Sequence, residues 1–335
     1  MSLKPILWQP QAPLESLNLH WLAQAGVEVA VLRLDLIDAL ISGNKWFKLV
    51  DHLAAATHTH AQGVISLGGA HSNHLHALAA AGKRFGFPTV GLMRGHAQET
   101  PTTRDLQACG MRLHWLGYGG YRARHEPDFW QPWLAQYAHF YPIPEGGGGL
   151  AGASGCAQLL TMASTQLNAI GWDDYHGWWL AAGTGTTLAG LVLAEAGAHP
   201  VYGAMAVPDG HGVRENVAAI LQAATAQGGG SELDWERACS RGRLALSVAD
   251  PLSPVADSLF HLLDASRGGF ANTDAELLDF IVTSEAESGV LLEPLYTGKA
   301  LFTLRDEVRA GRFAAGTRLI FIHTGGLQGR RAMGL

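Results

Sequence analysis

Apolar positions along the chain follow two spacings. "VEVAVLRLDL" (27–36) alternates and predicts a half-buried strand, while "GVISLGG", "TVGLMRG", "RLHWLG", "WWLAAGTG", "PVYGAMAV" and "RLIFIHTGG" are short apolar runs that predict buried strands. Between them, "SNHLHALAAAGKRFG", "GCAQLLTMASTQL", "TLAGLVLAEAG", "RENVAAILQAATAQ" and "GKALFTLRDEVRAG" have the length and Ala/Leu-rich composition of helices. Strands alternating with helices predict an α/β fold with mainly parallel sheets, since each parallel pair needs a helix-length crossover.

Two interruptions divide the pattern. One is the "SGNK" turn at 42–45; the other is "FYPIPEGGGGLAGASG" (140–155), whose prolines and four consecutive glycines are expected to hold no regular structure. The stretch 47–160 is expected to be a smaller α/β module inserted into a larger domain built from 1–46 and 161–335, with the ligand site in the cleft between them. At 335 residues and 47% hydrophobic composition the chain can bury a large core. The formal charge of −6 is mild and the basic residues are scattered, which argues against a nucleic-acid or polybasic membrane surface. No cationic N-terminal stretch precedes an apolar run, and no segment approaches the ~20 apolar residues of a spanning helix, so a cytoplasmic protein is expected. Cys109, Cys156 and Cys239 are odd in number and far apart, and read as buried thiols rather than a disulfide framework or zinc site.

In open parallel sheets, ligands bind beyond the carboxyl ends of strands, where the following helices point their N-termini. Three such ends combine glycine with hydroxyl or amide side chains: "SLGGAHSNH", "AAGTGTTLAG" and "FIHTGG". In the second, Gly183 and Gly185 let backbone N–H groups approach an anion, and Thr184, Thr186 and Thr187 add hydroxyl donors at a helix start. Leu188 stands where a dinucleotide fingerprint needs its third glycine, and no lysine follows in P-loop register, so a terminal phosphate monoester fits better than a dinucleotide. A plain tight turn would use the same residues. His71, His74 and His76 invite a metal reading, but no carboxylate or cysteine stands at ligand spacing and the chain holds sixteen histidines; no metal is expected. Ser72 and Asn73 equally suit a helix start as capping residues. No GxSxG elbow supports Ser-His-Asp hydrolysis.

Lys45 and Lys48 lie three residues apart where the "SGNK" turn opens into an apolar helix. Capping of a surface helix is one reading. A phosphate cradle, a lysine at a turn and a cleft together suggest pyridoxal phosphate, whose aldehyde needs an amine, whose phosphate needs donors and whose pyridine nitrogen needs a partner. Lys45 would then be the amine, its pKa lowered by the neighbouring cation and by desolvation, and Lys48 would neutralise the phosphate.

The motifs "GNKWFKL", "GGAHSNHLHALAAAG", "AAGTGTTLAGL", "LLEPLYTGKAL" and "FIHTGG" occur in the order and spacing of the 1-aminocyclopropane-1-carboxylate deaminase / D-cysteine desulfhydrase family, which the chain resembles from about 28 to 326. The resemblance implies the tryptophan synthase β-like architecture (PLP fold type II), an α/β fold of two open, twisted, mainly parallel sheets flanked by helices. It implies pyridoxal 5'-phosphate as cofactor, a small amino acid as substrate and a homodimer. By position it implies that Lys45 is the Schiff-base lysine, that Lys48 is the second lysine of the motif and that Gly183 to Thr187 hold the phosphate. Asn73 is implied to lie near the cofactor 3-oxygen and Thr324 near the pyridine nitrogen. On the substrate side it implies Ser72 at the carboxylate, with Asn73, His74 and Thr297 nearby and Tyr296 at the α-carbon. The freed Lys45 or Tyr296 would handle the α-proton.

Members that open the cyclopropane ring are similar to one another in having Glu after the tyrosine and Leu before the last Gly-Gly, where this chain has Thr297 and Thr324. These threonines resemble the desulfhydrase branch. A neutral hydroxyl beside an unprotonated ring nitrogen makes a shallower electron sink than a carboxylate does, which favours prompt loss of a β-substituent. Two positions depart from the pattern: His76 stands where arginine is common, and Phe270 where a Tyr-Gly pair is frequent. The expectation is α,β-elimination on a small amino acid such as D-cysteine, giving pyruvate, ammonia and hydrogen sulfide. The alternatives are the cyclopropane deaminase and a non-catalytic protein that binds pyridoxal phosphate or another phosphate ester.

Overall fold

The glycine-bounded apolar runs become the strands of two sheets in the computed structural model, which describes residues 2–226 and 259–333. Cys239 lies outside the described residues. β1 (Leu14–Ser16), β2 (Glu28–Arg33), β7 (Gly177–Ala182), β8 (Val201–Met205), β9 (Phe260–Asp264) and β10 (Arg318–His323) form a six-stranded sheet in the order β1-β2-β10-β7-β8-β9. Its strands are parallel except for β1, which pairs antiparallel with β2. β3 (Gly63–Gly68), β4 (Thr89–Met93), β5 (Arg112–Trp115) and β6 (Phe140–Pro142) form a parallel four-stranded sheet in the order β5-β4-β3-β6. The α/β class and the two mainly parallel sheets agree with the sequence. Among the described residues no helix is long and apolar enough to cross a membrane.

Helices cover both sheets. α1 (His20–Ala25), α11 (Ala275–Ser288) and α12 (Thr297–Arg309) contribute Leu22, Leu277, Ile281 and Leu304 to a cluster with Val29, Val31 and Phe321 of the six-stranded sheet. The opposite face shares one larger cluster with the four-stranded sheet. Into it project α2 (Lys45–His58), α3 (Asn73–Phe85), α4 (Pro101–Ala108), α7 (Gly149–Cys156), α8 (Gln158–Ser164), α9 (Thr186–Glu195) and α10 (Val213–Ala226). Fully buried side chains such as Phe47, Leu49 and Leu32 stabilise this layer by roughly 1.5–3 kcal/mol each. On the outer face of the four-stranded sheet, α5 (Gly117–Arg122) and α6 (Gln131–Gln136) pack Tyr121 and Leu134 onto Leu67 and Leu92.

Three local expectations change. Val29 to Leu32 are all buried, because β2 lies between β1 and β10 with a helical layer against each face, so the alternation in "VEVAVLRLDL" does not mark a solvent face. The 140–155 stretch is more regular than its glycines and prolines suggest. Phe140–Pro142 is an edge strand, where a proline is tolerated, and Gly149–Cys156 is a helix. Cys156 is buried as expected, but Cys109 is half-buried.

The helix at 149–156 exists because its glycines bring backbones together. A Cβ on Gly155 would lie 2.1 Å from the Phe47 carbonyl oxygen of α2, and one on Gly190 of α9 would lie 2.3 Å from the Ala153 carbonyl oxygen. α7 is thereby wedged between α2 and α9 with almost no side-chain spacing. The expected outcome is that Gly155→Ala or Gly190→Ala destabilises the protein by about 1–3 kcal/mol, read as a lowered Tm or denaturation midpoint. Gly119→Ala in α5, where an added Cβ meets nothing within 4 Å, should stay within about 0.5 kcal/mol.

Candidate active site

The lysine turn is shaped by Gly43. Its φ is +79°, and a Cβ there would lie 2.1 Å from the Thr324 carbonyl oxygen at the end of β10, so only glycine fits this close crossing. The Asn44 N–H donates to that carbonyl at 3.2 Å, and α2 begins at the next residue, Lys45. Asn44 then bridges two elements: its Oδ1 accepts from Lys45 Nζ at 2.6 Å, and its Nδ2 donates to Thr187 Oγ1 at 2.8 Å. One helical turn on, Lys48 Nζ donates to Thr184 Oγ1 at 3.2 Å. The α2–α7–α9 stacking thus sets both lysines against the threonine loop.

That loop ends β7 and starts α9. Gly185 caps the helix at φ +75°, and Thr184 and Thr186 share a hydroxyl contact of 2.9 Å. The first N–H groups of α9 have no partner within the helix, which makes a ready anion site. Gly183 must be small for a different reason: a Cβ would lie 3.1 Å from the Tyr296 ring.

The facing wall follows β3. Ser72 caps α3 by accepting from the Leu75 N–H at 3.2 Å, which leaves its hydroxyl proton for a ligand. Asn73 Oδ1 accepts from Gln328 Nε2 at 2.8 Å, which holds the amide so that its Nδ2 is the group left to donate. The three histidines point to separate partners. His71 is exposed, His74 Nε2 contacts Ser66 Oγ at 2.8 Å, and His76 Nε2 contacts Asp105 Oδ2 at 3.2 Å. Among the described residues no cluster of His, Cys, Asp or Glu could hold a metal ion.

Thr324 lines the cavity, but Thr297 does not. Thr297 is fully buried at the start of α12, where its Oγ1 accepts from the Glu293 N–H at 2.9 Å. The expectation that Thr297 touches substrate gives way to an indirect role through Glu293. That carboxylate accepts from the Leu295, Tyr296 and Thr297 N–H groups at 2.5–2.8 Å and so fixes the Tyr296 turn. Phe270 packs edge-on against Tyr296, ring centroids 5.3 Å apart. Glu293, Asn44 and Gln328 were not singled out in the sequence. "EPLYTG" carried a signal for Glu293, an acid just ahead of a helix start, whereas Asn44 and Gln328 meet their partners only in the fold.

The electrostatics favour a reactive amine. Burial and then the nearby Lys48 charge pull Lys45 down to about 7, and burial pulls Lys48 down to about 8. Burial, with both lysine charges, holds His74 well below its usual range, hence neutral. Burial pushes the Glu293 carboxyl up to about 7, against its three N–H donors and Lys45.

These residues surround one cavity of about 870 Å³ reached by the ends of β3, β7 and β10. The donor set fits pyridoxal phosphate: Lys48, the threonine hydroxyls and the α9 N-terminus for the phosphate, Asn73 Nδ2 for an acceptor oxygen, and a near-neutral amine at Lys45. A lysine with a folded pKa near 7 and an unfolded value of 10.5 binds fewer protons folded than unfolded between those limits. It therefore adds stability as pH rises through that window. In the cofactor-free protein, pH-dependent amine labelling read by mass spectrometry should give Lys45 a midpoint near 7. Lys48→Met should move that midpoint up, and Lys45→Met should flatten the rise of Tm with pH between about 7 and 10.5.

Comparison with known proteins gives the family and the cofactor class. The family profile described as pyridoxal-phosphate dependent enzyme matches residues 8–325. The mitochondrial bifunctional D-cysteine desulfhydrase/1-aminocyclopropane-1-carboxylate deaminase of Arabidopsis thaliana is 26% identical over 357 residues, covering 95% of this chain and 76% of that one. The D-cysteine desulfhydrase of Salmonella choleraesuis (strain SC-B67) is 26% identical over 315 residues, covering 90% of this chain and 87% of that one. A crystal structure of an ACC deaminase homologue shares the fold with a TM-score of 0.74 at 24% identity, over 99% of this chain and 95% of that one. A profile match over nearly the whole chain, on a fold that gathers two lysines and a threonine cradle around one cavity, places the protein in the pyridoxal-phosphate-dependent enzyme family, as a lyase of the 1-aminocyclopropane-1-carboxylate deaminase / D-cysteine desulfhydrase group.

Proposed function

We propose that the protein catalyses α,β-elimination on a small amino acid with a β leaving group, and that D-cysteine is converted to pyruvate, ammonia and hydrogen sulfide. The observation that carries the reading is the desolvated Lys45 amine, held by Asn44 beside a phosphate cradle and facing Ser72 across the cavity. Bound pyridoxal phosphate supplies an electrophilic carbon for amines and a ring that withdraws electrons from the substrate α-carbon.

The chain's own residues do the rest. Lys48, Thr184, Thr186, Thr187 and the α9 N-terminus neutralise and orient the phosphate. Lys45, near-neutral at physiological pH, is nucleophilic and can take a proton from the α-carbon. Ser72 and adjacent N–H groups hold the α-carboxylate, and Asn73 Nδ2 donates to the cofactor oxygen. The Tyr296 phenol, which burial and two carboxylates push above its usual range, stays protonated and serves as an acid at the leaving group or as a proton relay. Thr324 puts a neutral hydroxyl on the cavity wall, and the only lining carboxylate among the described residues is Glu145. A neutral partner for the pyridine nitrogen favours elimination over the longer-lived carbanion that ring opening needs. The same reading makes residues 47–160 a unit inserted between 1–46 and 161–335, and the protein a cytoplasmic homodimer.

Purified protein incubated with D-cysteine should release sulfide and pyruvate, and with 1-aminocyclopropane-1-carboxylate little 2-oxobutanoate. Production of 2-oxobutanoate without sulfide would replace this reading with the deaminase. Lys45→Ala should abolish the visible absorbance of the internally bound cofactor and lower kcat by at least about a thousandfold. Lys48→Ala should keep the band but lose cofactor on dialysis; the reverse pattern would exchange the two roles.

A further inference from the structure

The roles assigned so far leave over the charge on the cavity's exposed wall. Arg94, Arg122 and Arg124 line it, where the buried end holds Lys48 and Thr187. Arg124 is committed: its Nε donates to Glu145 Oε2 at 2.6 Å, and its Nη1 donates to the Tyr121 carbonyl at 3.2 Å. Glu145 is shared further with the Tyr121 hydroxyl, which donates to it at 2.5 Å. Arg94 and Arg122 are left with no carboxylate at ion-pair distance among the described residues. Both are exposed, and the Arg94 guanidinium lies 5.9 Å from the centroid of the Tyr118 ring. On a chain of net charge −6, this excess of guanidinium is a local attraction for anions.

The patch abuts the reacting centre. Arg94 is anchored by its N–H to the Gly68 carbonyl at 2.9 Å, and a Cβ on Gly68 would lie 2.5 Å from Ser72 Oγ. On the other side Glu145 precedes Gly146, whose added Cβ would lie 3.1 Å from Thr184 and 4.0 Å from Lys48 Nζ. The cofactor phosphate has Lys48 and the α9 N-terminus, and the substrate carboxylate has Ser72. Neither needs Arg94 or Arg122.

We propose that Arg94 and Arg122 form a subsite for a second negative charge on the substrate, so that the site also takes amino acids whose β leaving group carries an oxyanion. The inference rests on the elimination reading above and extends its substrate class beyond the thiol. With O-phosphoserine as the probe, the Cα–H and Cβ–O bonds break and the Cβ–O electron pair leaves with phosphate. Water then hydrolyses the released enamine, so that one water is consumed and pyruvate, ammonia and inorganic phosphate form.

The holoenzyme is assayed on O-phosphoserine and β-chloroalanine, each as both enantiomers, in the parent protein and in R94Q, R122Q and the double variant. The kcat/KM ratio of O-phosphoserine to β-chloroalanine should fall at least about tenfold in the double variant, through KM, since a charged hydrogen bond of this kind contributes about a factor of ten or more. Calorimetric binding supplies the second readout. In a cofactor-loaded Lys45→Ala background, R94Q/R122Q should weaken O-phosphoserine at least about tenfold more than serine. An unchanged ratio and equal weakening of both ligands would overturn the subsite, leaving general anion steering. Failure of the parent protein to process β-chloroalanine would instead count against the elimination chemistry, while the calorimetric comparison still decides the subsite.

Discussion

The site depends on three helices brought into backbone contact. α7 lies between α2 and α9 because Gly155 and Gly190 carry no Cβ where the nearest neighbours are carbonyl oxygens of the facing helices. Packing this close leaves little freedom in the relative position of the two outer helices. α2 starts with Lys45 and α9 with Thr186, so the wedge that fixes their axes also fixes an amine against a phosphate cradle. The Lys48–Thr184 and Asn44–Thr187 hydrogen bonds complete that registration.

Two ammonium groups this close in a partly buried corner would be unfavourable if both stayed charged. Desolvation lowers both, and the Lys48 charge lowers Lys45 further. The same arrangement therefore makes Lys45 the more readily deprotonated of two identical side chains. Lys48 faces the Thr184 hydroxyl, and Lys45 lines the same cavity as Ser72 and Asn73. The difference between these neighbours is created by burial and by the charge of one on the other.

Around these groups runs a layer of residues that act through others. Gln328 orients the Asn73 amide, and Glu293 gathers three N–H groups at the turn that bears Tyr296. The buried Lys299 ammonium donates to the Ser266, Gly269 and Phe270 carbonyls, which holds Phe270 against Tyr296. Each removes a degree of freedom from a group that faces the cavity.

The strands around the site were legible because each is a short apolar run closed by glycine, and "SLGGAHSNH", "AAGTGTTLAG" and "FIHTGG" could be placed at strand ends by local chemistry alone. The Lys45/Lys48 pair and the threonine loop were legible as candidate groups for the same reason: each is a set of residues adjacent in the chain. The "EGGGG" stretch was not legible. Gly146 and Gly147 lie against Thr184 and Lys48, and Gly155 further on lies against the Phe47 carbonyl, so a run that reads locally as a linker becomes a packing surface only when those segments arrive. Thr297 looked like a substrate contact, yet its hydroxyl turns to Glu293, because a side-chain direction follows from the helix start it belongs to. Arg94, Arg122 and Gln328 carry no local motif at all. Sequence determined which chemical groups this protein owns and the elements that bear them; the fold alone decided which of those groups share a cavity, because that depends on contacts between segments that no local spacing encodes.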